Sequence, residues 1–162
     1  MKTPFRQAGF TLMEMLIAIA IVAILVSMAL PSFNSMLDRQ RVRGAAENLF
    51  ADLQFAKTQA IKCSRSMDLI AATGSPWSYC VATNGSNCAA AATSDCATAG
   101  VWKATSGADF THVTLNANAS VTFDALRGGC AGASCGTAIT FTGSSGATKS
   151  VTVSAMGRIS LQ

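Results

Sequence analysis

Residues 9–30 read GFTLMEMLIAIAIVAILVSMAL, an apolar run whose single charged residue, Glu14, stands near its start. Counted from Phe10, the run is about twenty residues long, enough to cross the hydrocarbon core of a bilayer as an α-helix. The residues ahead of it, 1–9, are basic through Lys2 and Arg6 and contain no acid. Cations on that side stay cytoplasmic, so the C-terminal part is expected to face outward. A cleaved secretory signal would want a shorter core followed by a small-residue cleavage site, and Ser27-Met28-Ala29 is a poor version of one. A plain anchor accounts for the length but not for Glu14. A carboxylate inside an apolar segment costs roughly 2.5–3.5 kcal/mol at the bilayer centre, and such residues usually mark function. In the first turn of a helix the same charge also meets the favourable end of the helix dipole.

Working outward, the pattern after Pro31 turns amphipathic. Phe33, Met36 and Leu37, then Val42, Ala45, Ala46, Leu49, Leu53, Ala56 and Ala60, recur at helical spacing and predict one buried face. Asp38, Arg39, Arg41, Arg43, Glu47, Asp52 and Lys57 are assigned to the opposite, charged face. Pro31 removes a backbone donor and is the expected place for a kink. A single helix over residues 10–63 is predicted, apolar throughout in its first half and packed under a C-terminal domain in its second. Arg39, Arg41 and Arg43 read as a solvated or intersubunit face just outside the membrane, with phospholipid or DNA contact as the alternative.

From Met67 onward the period becomes two. Trp77, Tyr79 and Val81 alternate with Ser78, Cys80 and Ala82; Val121 and Phe123, Ile139 and Phe141, and Val151 and Val153 repeat the pattern. These predict short half-buried strands separated by Gly and Ser turns. Val101-Trp102 and residues 110–115 are expected to be strands too, with His112 inside the latter in a structural role. Residues 84–100 read as a loop carrying Cys88 and Cys96. The fold class expected is α+β, a long N-terminal helix packed on an antiparallel β domain.

Half of the chain is hydrophobic and 12% is charged. The N-terminal run supplies much of that excess, leaving an ordinary small domain behind it. Net charge is +4, of which Lys2 and Arg6 contribute two; so weak a balance does not by itself imply a nucleic-acid partner. Six cysteines, Cys63, Cys80, Cys88, Cys96, Cys130 and Cys135, all follow the apolar run. In an exported domain an even number suggests disulfides, and six allow fifteen pairings among which sequence does not choose. Structural zinc is the weaker alternative, since no CxxC occurs and His112 is the only histidine. No cofactor or metal is expected. Nothing favours an enzyme: there is no nucleophile elbow, phosphate loop or reactive CxxC, and Asp68, Asp95, Asp109 and Asp124 are scattered.

Gly9-Phe10-Thr11-Leu12-Met13-Glu14 resembles the class III signal of type IV pilins and type II secretion pseudopilins. That resemblance implies a prepilin peptidase cutting between Gly9 and Phe10 and then methylating Phe10. It places Glu14 at the family's acidic fifth mature position, where it pairs with a neighbouring subunit's N-terminal amine and sets the axial register. Pro31 falls where many pilins have a proline. Phe123-Asp124-Ala125-Leu126-Arg127-Gly128 and Val151-Thr152-Val153-Ser154-Ala155-Met156-Gly157-Arg158-Ile159 resemble motifs of the GspH/FimT/FimU group of minor pilins and pseudopilins. The implied organisation is a leader over 1–9, a transmembrane and filament-core helix over 10–30, an amphipathic helix over 31–64 and a globular domain over 65–162. The implied partners are other pilins, the prepilin peptidase and the inner membrane, with the β domain periplasmic before assembly into a pilus or pseudopilus. The expected role is a minor pilin in a priming or tip complex. DNA uptake is the alternative, with Arg127, Lys149 and Arg158 as candidate contacts to double-stranded DNA. The Gly-Arg-x-Arg patch of DNA-binding relatives is broken here by Ser160. A type II secretion pseudopilin of the H type is the other alternative.

Overall fold

The computed structural model describes residues 10–162, without the side chains of residues 28–32. Gly9 and the rest of the expected leader lie outside the described residues. The chain forms two compact units, one ending at Met36 and one running Leu37–Gln162. Helix α1, Leu12–Cys63, contributes to both. It starts two residues later than the sequence suggests because Thr11 serves as its N-cap. The Thr11 hydroxyl accepts from the Glu14 amide at 3.2 Å, meeting one donor that the first turn leaves without an internal partner. Pro31, the expected kink, lies inside α1 among the residues whose side chains are not described.

In the first unit the apolar side chains from Phe10 to Val26 are exposed on every side of the helix. Among the described residues no helix is long and apolar enough to cross a membrane. Side chains 28–32, which complete the apolar run, fall outside that description.

The second unit packs the rest of α1 against two four-stranded antiparallel sheets. β1 (Met67–Ala72), β2 (Ser78–Thr83), β3 (Val101–Ser106) and β5 (Ala119–Phe123) form one, in the order β3-β2-β1-β5. β4 (Val113–Leu115), β6 (Ala138–Gly143), β7 (Thr148–Val153) and β8 (Ile159–Leu161) form the other, in the order β4-β6-β7-β8. The chain is therefore α+β. Val42, Ala45, Ala46, Leu49, Leu53, Ala56 and Ala60 are all buried, so the helical stripe is the core face from Val42 onward, whereas Phe33 and Met36, expected on the same buried face, are exposed. Small residues let the sheets approach the helix closely, while Leu49 and Leu53 each contribute roughly 1.5–3 kcal/mol through burial. Trp77 bridges the sheets: its Nε1 donates to the Val113 carbonyl at 2.8 Å, and it stacks on Tyr79 and Phe110. Gly107 is required beside it, because a Cβ there would lie 2.6 Å from the indole.

Three further expectations change. Asp38 and Asp52 are not on the charged face but buried, for reasons given below. Cys80 and Ala82, assigned to the outer face of β2, are fully buried with Val101 under Ala90 of the 84–100 loop. The structure also gives the pairings that the sequence left open. Cys88 joins Cys80 and Cys96 joins Cys63, while Cys130 joins Cys135, and Arg65 adds hydrogen bonds to the Cys96 and Ala97 carbonyls. The strand expected over 110–115 is cut to Val113–Leu115. A 3₁₀ turn, Gly107–Asp109, precedes it, and His112 sits exposed at φ 67 rather than in a strand.

Candidate functional site

Two of the three candidate contacts in the second unit, Arg127 and Arg158, lie on two turns locked together. In the first turn the Asp124 carboxylate accepts from the amides of Leu126 at 2.9 Å, Arg127 at 2.7 Å and Gly129 at 2.7 Å. Those donors, led by the Arg127 and Leu126 amides and helped by the Arg127 charge, hold the Asp124 carboxyl below the usual carboxylate range. Gly128 takes the left-handed φ of 63 that closes the turn. In the second turn, between β7 and β8, the Gly157 amide donates to the Ser154 carbonyl at 2.8 Å. The Arg158 amide donates to the Ser154 hydroxyl at 3.1 Å.

The two turns then pack on each other. The Cys130 amide donates to the Ala155 carbonyl at 3.0 Å. Gly157, at φ 71, lies so close to the Gly128 carbonyl that a Cβ would collide with it. Lys57 from α1 ties the pair down, donating from Nζ to the Gly157 carbonyl at 2.8 Å. At the tips, Leu126 is 88% exposed and Met156 86% exposed. Arg127 and Arg158 flank them, also exposed. The result is a rigid two-turn knob, apolar at its crown and cationic at its sides.

Lys149 is not part of the knob. It lies near the start of β7, opposite Phe141 of β6, whereas Arg158 lies beyond that strand's other end. Ser160, which interrupts the Gly-Arg-x-Arg pattern, faces Thr152 across β7 and β8, and their hydroxyls are 2.6 Å apart. In the first unit Glu14 is in the opening turn of α1 and Phe10 is exposed just ahead of it.

Two structural sites were missed by the sequence analysis, which placed both carboxylates by periodicity alone. Asp38 accepts from the amides of Ser144 at 3.2 Å and Ser145 at 2.7 Å, and from both serine hydroxyls. It thus clamps the β6–β7 hairpin turn to α1. The Ser145 hydroxyl and amide are the leading causes that keep its carboxyl below the ordinary range, outweighing desolvation. Asp52 accepts from the buried Tyr79 hydroxyl at 2.9 Å and pairs with Lys103. Burial, reinforced by the Asp52 charge, pushes the Tyr79 phenol up. A local signal was available for Asp38 only in hindsight: the Gly143-Ser144-Ser145-Gly146 turn offers donors that need an anion. Among the described residues no group of three His, Cys, Asp or Glu side chains is placed to hold a metal ion, and all six cysteines are in disulfides.

An N-capped apolar helix with an acid in its first turn, joined to an α+β unit, defines a pilin-like class of protein. The N-terminal segment agrees with this, matching the prokaryotic N-terminal methylation motif over residues 4–30. Residues 45–157 match the model of the type II transport protein GspH, and the chain belongs to that family. Its α+β architecture is the type IV pilin fold. No curated protein and no solved structure matches the chain.

Proposed function

We propose that this chain is a membrane-anchored minor subunit of a type IV pilus, acting in the priming or tip complex that starts assembly. The observation that carries this reading is the all-round exposure of the apolar side chains between Phe10 and Val26. A helix apolar on every side needs lipid, or like helices, around it. Before assembly residues 10–30 sit in the inner membrane with the β domain in the periplasm; afterwards they pack in the filament core. Prepilin peptidase cuts between Gly9 and Phe10 and methylates Phe10. Glu14 then pairs with a neighbouring subunit's N-terminal amine, because a carboxylate removed from water needs a charged partner. The role is structural and needs no cofactor.

Mass spectrometry of the mature chain tests the processing and is expected to find an N-terminus at Phe10 carrying one methyl group. Glu14→Gln is expected to be processed normally yet to be lost from filaments. A deletion strain separates pilus from type II secretion: loss of surface pili with secretion intact supports the minor pilin, and the reverse supports an H-type pseudopilin.

A second reading, DNA binding for uptake, is favoured by one observation: the turns that carry the exposed Arg127 and Arg158 pack on each other through Gly128 and Gly157. Two phosphate contacts would give sequence-blind affinity with a log–log salt slope of about −2. Fluorescence anisotropy of the full chain in neutral detergent against duplex DNA tests it. Arg158→Gln should lower that slope by about one, and no binding at low salt rules the reading out.

A further inference from the structure

A second set of cations, unused by the reading above, converges on a cavity at the opposite end of β7 from the knob. Arg39 and Arg43 stand one turn apart on α1 and Lys149 comes from β7; with Val42, Ala147 and Thr148 they line a space of ≈ 300 Å³. Arg43 is partly engaged, its Nε held by Glu47 at 2.7 Å. Arg39 and Lys149 have no side-chain hydrogen bond or ion pair among the described residues. No acidic side chain lines the cavity, and Asp38 next door is buried and fully engaged with Ser144 and Ser145.

An arginine fork, a lysine ammonium and a threonine hydroxyl on one concave wall suit an anion with several oxygens. The Val42 and Ala147 walls suit a phosphate that carries hydrocarbon rather than a bare one. Chain position points the same way. Arg39 is the first cation after Arg6, and only Leu37 and Asp38 separate it from the apolar unit ending at Met36. Basic residues at such a junction meet the charged headgroup layer. We infer that this cavity binds the phosphate of an anionic phospholipid headgroup, fixing the β domain against the membrane surface before assembly. The inference rests on the membrane-anchored reading. Free phosphate shares the chemistry, so the test separates the two sources.

The full chain in neutral detergent is titrated with short-chain phosphatidylglycerol, short-chain phosphatidylcholine and inorganic phosphate, reading the amide chemical shifts of residues 147–149. Phosphatidylglycerol is expected to give saturable shifts, with phosphatidylcholine and inorganic phosphate at least ~10-fold weaker, as expected when net charge and hydrocarbon both count. The Arg39→Gln, Lys149→Gln double variant should weaken phosphatidylglycerol by a similar factor with an unchanged melting temperature, since neither side chain has an internal partner. Equal response to both lipids, or undiminished binding in the double variant, overturns the site. Inorganic phosphate binding as tightly as phosphatidylglycerol, or duplex DNA displacing the lipid, overturns the lipid source. Vesicles of pure phosphatidylcholine test the anchor separately: a full chain that does not insert into them sinks the membrane reading whatever the titration gives.

Discussion

Asp38 and Asp52 bring carboxylates into the interior of the second unit, and they are held there in different ways. Asp38 is matched by four donors from Ser144 and Ser145, all neutral, so its charge is stabilised by hydrogen bonding alone. In the unfolded chain it takes up a proton near the ordinary 3.8, while the folded carboxyl resists to lower pH. Between those values the unfolded state holds more protons, so stability falls as pH falls. Thermal melts of Asp38→Asn below pH 4 should therefore show a shallower acid loss than the parent chain, with Asp124 accounting for part of what remains. Asp52 differs in having a charged partner. Lys103 is half exposed but Asp52 is buried, so Lys103→Met leaves that carboxylate without its charged partner and should cost about 3–5 kcal/mol. Asp52→Ala strands the buried Tyr79 hydroxyl and should cost about 1–3 kcal/mol. Denaturant titration of the two variants checks the order, and a larger loss from Asp52→Ala would contradict it. Neither burial was legible in the sequence, because helical periodicity says which face a residue is on but not which loop later folds over it.

At the scale of elements, the disulfides rank by the chain they close. Cys63–Cys96 spans 33 residues, Cys80–Cys88 spans 8 and Cys130–Cys135 spans 5. Loop-closure entropy gives about 3.7, 2.5 and 2 kcal/mol in that order. Paired Cys→Ser variants should lose melting temperature in that sequence, Cys63/Cys96 most. The reason is visible in the fold: that bond and Arg65 anchor the 84–100 loop, whose own apolar content is slight, over Cys80, Ala82 and Val101. Strand patterns were legible where two-residue alternation met a clear core, as in β5, β6 and β7. They failed where a second layer covered the outer face, as at Cys80 and Ala82, because both phases then read apolar. They also failed at β8, whose three half-buried residues carry too little alternation to detect. His112 was misplaced because a positive φ is a property of the turn and not of the residue type.

For the whole molecule, the boundary between the units falls between Met36 and Leu37, so the second half of α1 is part of the globular fold and not a stalk. A fragment beginning at Leu37 should melt cooperatively, whereas one beginning at Arg41 lacks the Asp38 clamp and should melt lower; differential scanning calorimetry of the pair decides it. The N-terminal motif, the helical stripe and the α+β class were legible because each repeats a physical constraint along contiguous sequence. The knob was legible only in pieces, since Arg127 and Arg158 are neighbours through a contact between two glycines that no linear pattern encodes.

The Asp38 clamp and the Lys57 tie join α1 to residues 106 or 107 and 100 positions later in the chain. A ribosome delivers the helix first and those partners last. For most of synthesis the helix face therefore waits, an unmet carboxylate and an unmet ammonium beside an open apolar stripe. The unit closes only when its final hairpin arrives. Maturation is thereby timed by the C-terminal end of the chain, and a truncation that removes only the last strands leaves the first-made element unfinished.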